Sequence, residues 1–153
     1  MEPAHLDVLL RRLTKDDAHD MYLLESQCFS LPWTEIQCLC AFEQSAFAAF
    51  GLWYKSELIA YISIYHIYDE FEILNIAVHP KERGKGHGRH ILQMVLQIAL
   101  KMGMKSVVLE VRRSNFKAIS LYKSCGFVSS GVRPNYYPDN NEDALVFIHT
   151  PQR

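Results

Sequence analysis

A strand, a glycine-rich turn, a helix and a second strand follow one another in the second half of the 153-residue sequence. The first strand is predicted over "EFEILNIAVHP" (70–80), and apolar residues then recur at helical spacing from Ile91 to Leu100. The stretch "KSVVLEVRR" (105–113) has the continuous apolar run of a buried parallel strand. Because a helix connects the two strands, they are expected to be parallel neighbours in one sheet.

Antiparallel strands and further helices are predicted around this β-α-β unit. The predicted order is β-α-α-β-β-β-α-β-α-β-β, with strands at 6–14, 46–54, 57–67, 70–80, 105–113, 127–133 and 142–150 and helices at 16–28, 34–43, 91–100 and 114–126. Thr14 or Asp16, Thr34 and Ser114 are the expected helix caps. The fold class is α/β with a mixed sheet. Since no linker, repeat or low-complexity tract divides the sequence, we expect one domain over residues 1–153.

Composition and charge exclude several classes of protein. Acidic and basic residues nearly cancel to a formal net charge of −1, whereas general nucleic-acid-binding proteins carry a basic excess. No apolar run is long enough to cross a membrane, and residues 1–13 lack the pattern of a signal peptide. We therefore expect a cytoplasmic protein that binds neither nucleic acid nor membrane.

The four cysteines show no spacing typical of a metal site. They are Cys28, Cys38, Cys40 and Cys125. No CxxC pair is present, and no cysteine combines with histidine at zinc-ligand spacing. We expect buried free thiols in a reducing compartment, and no metal.

The turn "RGKGHGR" (83–89) contains three glycines at alternate positions between basic side chains. The free N–H groups and the dipole of the helix that follows favour an anion, and glycines would let a phosphate approach the backbone. The alternative is a tight turn that merely needs positive φ. The spacing fits neither GxGxxG after a first strand nor GxxxxGK[ST], so the two common nucleotide motifs are excluded. His79 and His87 are expected to be solvated loop residues without a catalytic role.

Several ordered motifs together resemble one enzyme family. "RGKGHG" (83–88) resembles the acetyl-CoA motif of the GCN5-related N-acetyltransferase (GNAT) superfamily, and "SNFKAISLYKSCGF" (114–127) resembles its N-x-x-A-x-x-L-Y-x-x-x-G-F segment. Five further segments are similar to bacterial ribosomal-protein-alanine N-acetyltransferases of the RimI type: "FSLPWT" (29–34), "EILNIAV" (72–78), "LEVRRSN" (109–115), "RPNYYP" (133–138) and "EDA" (142–144). The resemblance runs from Leu6 to Phe147. It implies a mostly antiparallel seven-stranded sheet, with a central parallel pair splayed for acetyl-CoA and about four flanking helices.

The resemblance also implies an acetyl-CoA site. Backbone groups of Ile76, Ala77 and Val78 would bind the pantetheine arm and the acetyl carbonyl, as an added strand pairs with a sheet edge. Asn115 would bind the pantetheine or the pyrophosphate, although an Asn at a helix start can instead only cap it. The expected pyrophosphate contacts are Arg83, Gly84, Lys85, Gly86, His87, Gly88 and Arg89.

Two side chains are the candidates for catalysis. Glu110 interrupts an apolar strand, where a carboxylate is costly unless it faces a wet cleft or pairs with a partner such as Arg112 or Lys105. The resemblance implies that Glu110 is the general base and that Tyr122 protonates the leaving thiolate of coenzyme A. Without the motif, Tyr122 would be interpreted as a core residue on an apolar helix face.

The resemblance implies the reaction as well. It predicts transfer of acetyl from acetyl-CoA to the N-terminal alanine of a small-subunit ribosomal protein, by direct attack rather than through a nucleophile such as Cys125. The alternatives are acetylation of other protein N-termini or of small amines, and a non-catalytic acyl-CoA sensor. A monomer or weak dimer is expected. The expected acceptor-binding residues are Trp33, Asn75, Glu110, Tyr136, Tyr137 and Asp139.

Overall fold

The structure is a computed structural model that describes residues 8–152. In this part of the chain the strands are β1 (Val8–Arg12), β2 (Phe47–Tyr54), β3 (Glu57–Ile67), β4 (Glu70–Val78), β5 (Ser106–Arg112), β6 (Val128–Arg133) and β7 (Ala144–His149). The α-helices are α1 (Ala18–Cys28), α2 (Glu35–Phe42), α3 (His87–Lys101) and α4 (Phe116–Ser124). Residues 1–7 lie outside the described residues. They include the start of the first predicted strand and part of the segment that was considered as a signal peptide.

The strands form one mixed sheet in the order β1-β2-β3-β4-β5-β7-β6. The pairs β1–β2, β2–β3, β5–β7 and β6–β7 are antiparallel, whereas β4 and β5 are parallel. This confirms the predicted order of elements and the parallel pair around α3. The parallel register runs from Glu70↔Ser106 to Ile73↔Leu109, and β4 continues beyond it to Val78.

Contacts divide the described chain into two compact units. The first contains the residues up to Tyr65 together with Asn75–Leu92, and the second contains His66–Leu74 together with the residues from Gln93 onwards. A single domain over residues 1–153 stays a prediction.

The first unit is built on β2 and β3, which pair along most of their length. Side chains with no more than 1% of their surface exposed include Leu52, Ile59, Tyr61 and Ile62. The two short helices α1 and α2 pack against this part of the chain, and a capping box fixes the start of α2: the Thr34 hydroxyl accepts from Gln37 N–H, and the Gln37 side chain accepts from Thr34 N–H. The predicted cap at Thr34 is thus confirmed.

The second unit is built on β5, whose side chains alternate between buried and half-buried. Val107, Leu109 and Val111 face the core, so Glu110 lies on the other face. This differs from the sequence expectation of a strand that is apolar on both faces. Phe127 and Phe147 complete the core of this unit.

Two local expectations were wrong. The cap of α4 is Asn115 rather than Ser114, because the Asn115 Oδ1 accepts from Ala118 N–H at 3.2 Å. The four cysteines are free, but only Cys38 is buried, and Cys40 is exposed. No helix within residues 8–152 is long and apolar enough to cross a membrane.

Candidate active site

The glycine turn of the first unit has positive φ at two of its three glycines. Gly84 and Gly86 have φ of 78° and 87°, in the left-handed region that favours glycine. A Cβ at either residue would meet no atom within 4 Å, so the space beside this backbone is open to a ligand. Gly88 lies within α3. The turn alternative therefore explains two of the glycines and leaves the third without a turn requirement.

Three basic side chains belong to the segment that leads into α3. Arg83, Lys85 and Arg89 are exposed, and the Lys85 Nζ lies 3.1 Å from a carboxylate oxygen of Glu82. The expectation of a solvated loop histidine was wrong for His87, because His87 is the first residue of α3 and is 2% exposed. Its Nε2 lies 3.8 Å from the Glu82 carboxylate.

The carbonyl of Val78 is already used within the first unit. The Arg83 Nε donates to it at 3.0 Å, and the Cys28 Sγ donates to it at 3.4 Å. A carbonyl oxygen has two lone pairs, so these contacts occupy its accepting capacity. Backbone binding by Val78 would therefore use its N–H rather than its carbonyl.

Two residues of the first unit that are predicted to bind the acceptor substrate share one hydrogen-bond partner, which the sequence interpretation missed. The Trp33 N–H and the Asn75 side-chain amide both donate to Glu25, each at 3.0 Å. Glu25 is 1% exposed. The spacing of Glu25 on α1 carries no signal for this role, since Trp33 lies outside that helix and Asn75 is 50 positions away.

In the second unit, Glu110 is the centre of a polar cluster. Its carboxylate forms an ion pair with Arg133 and accepts a hydrogen bond from the Tyr136 hydroxyl. This bond to Glu110, ahead of burial, raises the pKa of Tyr136. The Glu110 side chain remains 29% exposed. Neither Arg112 nor Lys105, the partners considered from the sequence, pairs with it; Arg112 pairs with Asp139 and Lys105 with Asp69.

A second carboxylate, Glu72, belongs to the same cluster. Glu72 is opposite Val108 in the parallel register, which places it diagonally beside Glu110 on neighbouring strands. Burial raises the pKa of Glu72, with a further contribution from the charge of Glu110, whereas Arg133 opposes the shift. The sequence interpretation missed Glu72, although the alternation of β4 could have placed it on the face of Glu110.

Tyr122 is almost fully enclosed in the second unit. It is 8% exposed, and its ring lies 5.8 Å from that of Phe127 and 6.5 Å from that of Phe147, between centroids. Burial raises the pKa of Tyr122, with a smaller contribution from Tyr137. A tyrosine with its ordinary pKa of about 10 is already protonated at neutral pH, and burial strengthens that preference.

The loop between β6 and β7 is held in place by arginine contacts. The Arg112 guanidinium lies 3.9 Å above the Tyr137 ring and pairs with both oxygens of Asp139, at 3.1 and 2.9 Å. Tyr136 and Tyr137 pack edge to face at 5.2 Å. The structure thus brings Glu110, Tyr136 and Tyr137 together, while Asp139 is engaged by Arg112.

The start of α4 is tied to the same loop. The Ser114 N–H donates to the Glu142 carboxylate at 2.6 Å. Hydrogen bonds from Ser114, first from its side-chain hydroxyl and then from its N–H, lower the pKa of Glu142. Since Asn115 caps α4 through its Oδ1, its Nδ2 is the part of the amide that a ligand could use. Within residues 8–152 no group of three or more His, Cys, Asp or Glu side chains is placed to hold a metal ion.

Comparisons with known proteins agree on one family. Residues 15–127 match the model of the acetyltransferase (GNAT) family. The chain is 32% identical over 138 residues to a putative [ribosomal protein bS18]-alanine N-acetyltransferase of Bacillus subtilis, covering 90% of this chain and 91% of the relative. It is 33% identical over 136 residues to the [ribosomal protein bS18]-alanine N-acetyltransferase of Escherichia coli K12, covering 88% and 91%.

A solved structure gives the same result. The crystal structure of the ribosomal-protein-S18-alanine N-acetyltransferase from Escherichia coli superposes with a TM-score of 0.89 at 30% identity, and 95% of each chain is covered. The expected seven-stranded mixed sheet with its parallel pair is therefore confirmed by both the topology and the relatives. With a family match over most of its length, this chain belongs to the GNAT family of acetyltransferases.

Proposed function

We propose that the protein transfers acetyl from acetyl-CoA to the α-amine of an N-terminal alanine in a small-subunit ribosomal protein. The observation that carries this proposal is the position of Glu110, a partly exposed carboxylate in contact with Tyr136 of the aromatic loop, which is the loop between β6 and β7 (residues 134–143). A group that accepts a proton thus lies beside aromatic side chains suited to a peptide. The relatives are named as N-acetyltransferases of the alanine of ribosomal protein bS18, and these names support the choice of acceptor.

The first unit fits the proposed cofactor. Open space beside Gly84 and Gly86, together with the N-terminus of α3, suits a pyrophosphate, and exposed Arg89 and Lys85 add positive charge. Backbone groups of Ile76, Ala77 and Val78 would hold the pantetheine arm, and the Asn115 Nδ2 would contact the arm or the pyrophosphate. His87 would contribute mainly its backbone N–H, since its side chain is buried. Arg83 would contribute by holding the carbonyl of Val78, to which its Nε donates.

Acid–base chemistry would come from the second unit. When bound, acetyl-CoA supplies a thioester whose C–S bond breaks as the amine nitrogen forms the new C–N bond. Glu110 accepts the proton that the amine loses, directly or through water. Tyr122 donates its hydroxyl proton to the departing sulfur; a tyrosine with its ordinary pKa of about 10 already carries that proton at neutral pH. No covalent enzyme intermediate is needed.

Trp33, Asn75, Tyr136, Tyr137 and Asp139 would bind the acceptor. Because Asp139 is paired with Arg112, its main role would be to hold the aromatic loop in its conformation. Its carboxylate could still accept a hydrogen bond from a basic residue of the acceptor. Tyr136 is 45% exposed, as a contact residue requires.

The remaining expectations are part of the same proposal. A single domain acting in the cytoplasm, as a monomer or weak dimer and without direct nucleic-acid binding, suits an enzyme that modifies a ribosomal protein. The near-neutral formal charge of −1 supports the last point.

The test is turnover with a panel of acceptors. Purified protein and acetyl-CoA are mixed with Ala-starting peptides, the same peptides with a blocked N-terminus, and polyamines; thiol release gives the rate and mass spectrometry the acetylated atom. We expect transfer to the free α-amine alone, and a kcat for Glu110→Gln lower by about 10²-fold or more. Transfer to polyamines but not to Ala-starting peptides would contradict the acceptor, and an acetylated cysteine in the enzyme would contradict direct attack.

A further inference from the structure

Glu25 is a buried carboxylate that the proposed chemistry does not use. It lies on α1 with 1% of its surface exposed and accepts hydrogen bonds from three separate segments of the first unit. The donors are the Trp33 N–H at 3.0 Å, the Asn75 Nδ2 at 3.0 Å and the Tyr61 hydroxyl. Asn75 also donates to the Tyr61 oxygen at 3.4 Å.

Burial of a carboxylate is costly, so the converging donors have a compensating role. Burial raises the pKa of Glu25, while the bonds from Tyr61, Trp33 and Asn75 oppose that shift. Hydrogen bonds to a carboxylate are shorter and stronger than those between neutral groups. An apolar side chain of similar volume would fill the same space at lower desolvation cost. What a carboxylate adds is a geometric constraint on its three donors.

Two of these donors are residues proposed to bind the acceptor. Trp33 directly precedes the N-cap of α2, so the bond from its N–H fixes how the chain enters that helix. Asn75 directly precedes Ile76–Val78, the strand segment proposed to hold the acetyl arm. Since the Asn75 Nδ2 donates to Glu25, the Oδ1 of the same amide is the atom that could accept a hydrogen bond from the acceptor.

We propose that Glu25 is a positioning residue for the acceptor: it ties Trp33 and Asn75 to one carboxylate and so determines the affinity for the acceptor peptide. Tyr61 assists by donating to the same carboxylate oxygen as Asn75, Oε2, whereas Trp33 donates to Oε1. This inference rests on the proposed function. The glycine turn, which would hold the pyrophosphate, makes none of these contacts, so the affinity for acetyl-CoA should depend on Glu25 much less than the affinity for the peptide does.

The informative substitution is Glu25→Gln, which keeps the volume of the side chain. A glutamine replaces one accepting oxygen with an NH2 group, which would face a donor unless the Asn75 amide turned over. Tyr61→Phe is the milder variant, because it leaves the bonds from Trp33 and Asn75 in place. The matched control is Asp17→Asn: Asp17 is a 7%-exposed carboxylate of the same unit that accepts from Arg11 and Thr14 instead.

Kinetics and hydrogen exchange are measured on all four proteins. For Glu25→Gln we expect the KM of an Ala-starting peptide to rise about tenfold while the KM of acetyl-CoA changes less than about twofold. Tyr61→Phe should raise the peptide KM by about threefold. Exchange of backbone amides in residues 29–34 should accelerate in Glu25→Gln and stay at the wild-type rate in Asp17→Asn.

The outcomes separate this inference from the function on which it rests. If wild type acetylates the peptide but the peptide KM of both Glu25→Gln and Tyr61→Phe stays at the wild-type value, the positioning role alone is wrong. An equal rise of both KM values, or the same peptide effect in Asp17→Asn, also overturns it, since a general loss of stability would then explain the change. If wild type itself acetylates no peptide, the proposed function fails and this inference fails with it.

Discussion

Arg133 forms an ion pair with Glu110, and its charge also acts on Glu72. The charge of one guanidinium, whose side chain is 62% exposed, thus acts on two carboxylates of neighbouring strands, of which only Glu110 is in contact with it. The arrangement shows that the environment of Glu110 accommodates a cation. In the proposed reaction the acceptor enters as an ammonium group, since an α-amine has a pKa of about 8. Arg133 and the acceptor therefore compete for the same negative charge.

This competition predicts opposite effects for two substitutions. Arg133→Gln should lower the KM of an Ala-starting peptide by about two- to fivefold, as expected for a partly exposed ion pair worth up to about 1 kcal/mol. Glu72→Gln should raise it by a similar factor. Both effects should shrink as salt is added, because screening weakens them.

Steady-state kinetics at low and high ionic strength measure these changes. Arg12→Gln is the matched control, because Arg12 is an exposed arginine on β1 of the first unit and its loss changes the net charge by the same amount. If Arg12→Gln and Arg133→Gln lower the peptide KM equally, net charge rather than the cluster around Glu110 explains the result.

The role of Tyr122 as the proton donor can be tested without disturbing the core, although the residue is buried. Tyr122→Phe removes only the hydroxyl and keeps the ring packed between Phe127 and Phe147, so the unfolding temperature should change little. We expect kcat to fall by about 10²-fold with the peptide KM nearly unchanged, because the proton is needed only as the sulfur departs. An acceptor panel with thiol release as the readout measures this. A wild-type kcat in the variant would assign Tyr122 to the core alone.

Local signals predicted the elements of this fold well. The strand and helix order followed from apolar periodicity, and the start of α2 from Thr34, because a cap and the residue three positions later interact within one turn. The same reasoning misplaced the cap of α4 at Ser114, since both Ser and Asn are good caps and adjacent in sequence.

Long-range pairing was beyond such signals. The partner of Glu110 is Arg133 on β6, whereas the sequence suggested Arg112 or Lys105, which are close in sequence. Glu25 meets Asn75 across 50 positions, so nothing in the periodicity of α1 distinguishes it from a solvated glutamate. The family resemblance named candidate residues without giving their contacts, and those contacts depend on how the strands are brought together.

Substitutions in the glycine turn can distinguish glycines needed for the backbone conformation from glycines needed for binding the ligand. Gly86→Ala forces alanine into a left-handed conformation, which should cost about 1 kcal/mol of folding stability. Gly88→Ala should instead stabilise the protein by about 0.5–1 kcal/mol, because alanine is the better helix former. If a phosphate lies against this backbone, both variants should bind acetyl-CoA about tenfold more weakly.

Calorimetric titration with acetyl-CoA and denaturant unfolding measure the two quantities independently. The informative variant is Gly88→Ala, in which stability and affinity are expected to change in opposite directions. Wild-type affinity in Gly88→Ala would mean that the third glycine does not approach the cofactor. A loss of affinity confined to Gly86→Ala would then be explained by the altered turn.

His149 should make the protein less stable at mildly acidic pH. Burial lowers the pKa of His149, so the unfolded chain takes up this proton near its ordinary value of about 6.5 while the folded chain does so only at lower pH. Between these two values the unfolded state binds more protons, and the free energy of unfolding therefore falls as the pH falls. The decrease should stay below the limit for one proton, about 1.4 kcal/mol per pH unit, since the ring is partly solvated.

Urea unfolding at several values from about pH 7.5 to about pH 5 checks this against two non-titrating variants, His149→Gln and His149→Phe. The ring of His149 packs on Phe127 at 5.4 Å, so phenylalanine should keep more of the packing and glutamine less. The two variants should differ in stability at every pH, yet both should show a smaller decrease towards acid than wild type. A wild-type slope in either variant would assign the acid sensitivity to another group.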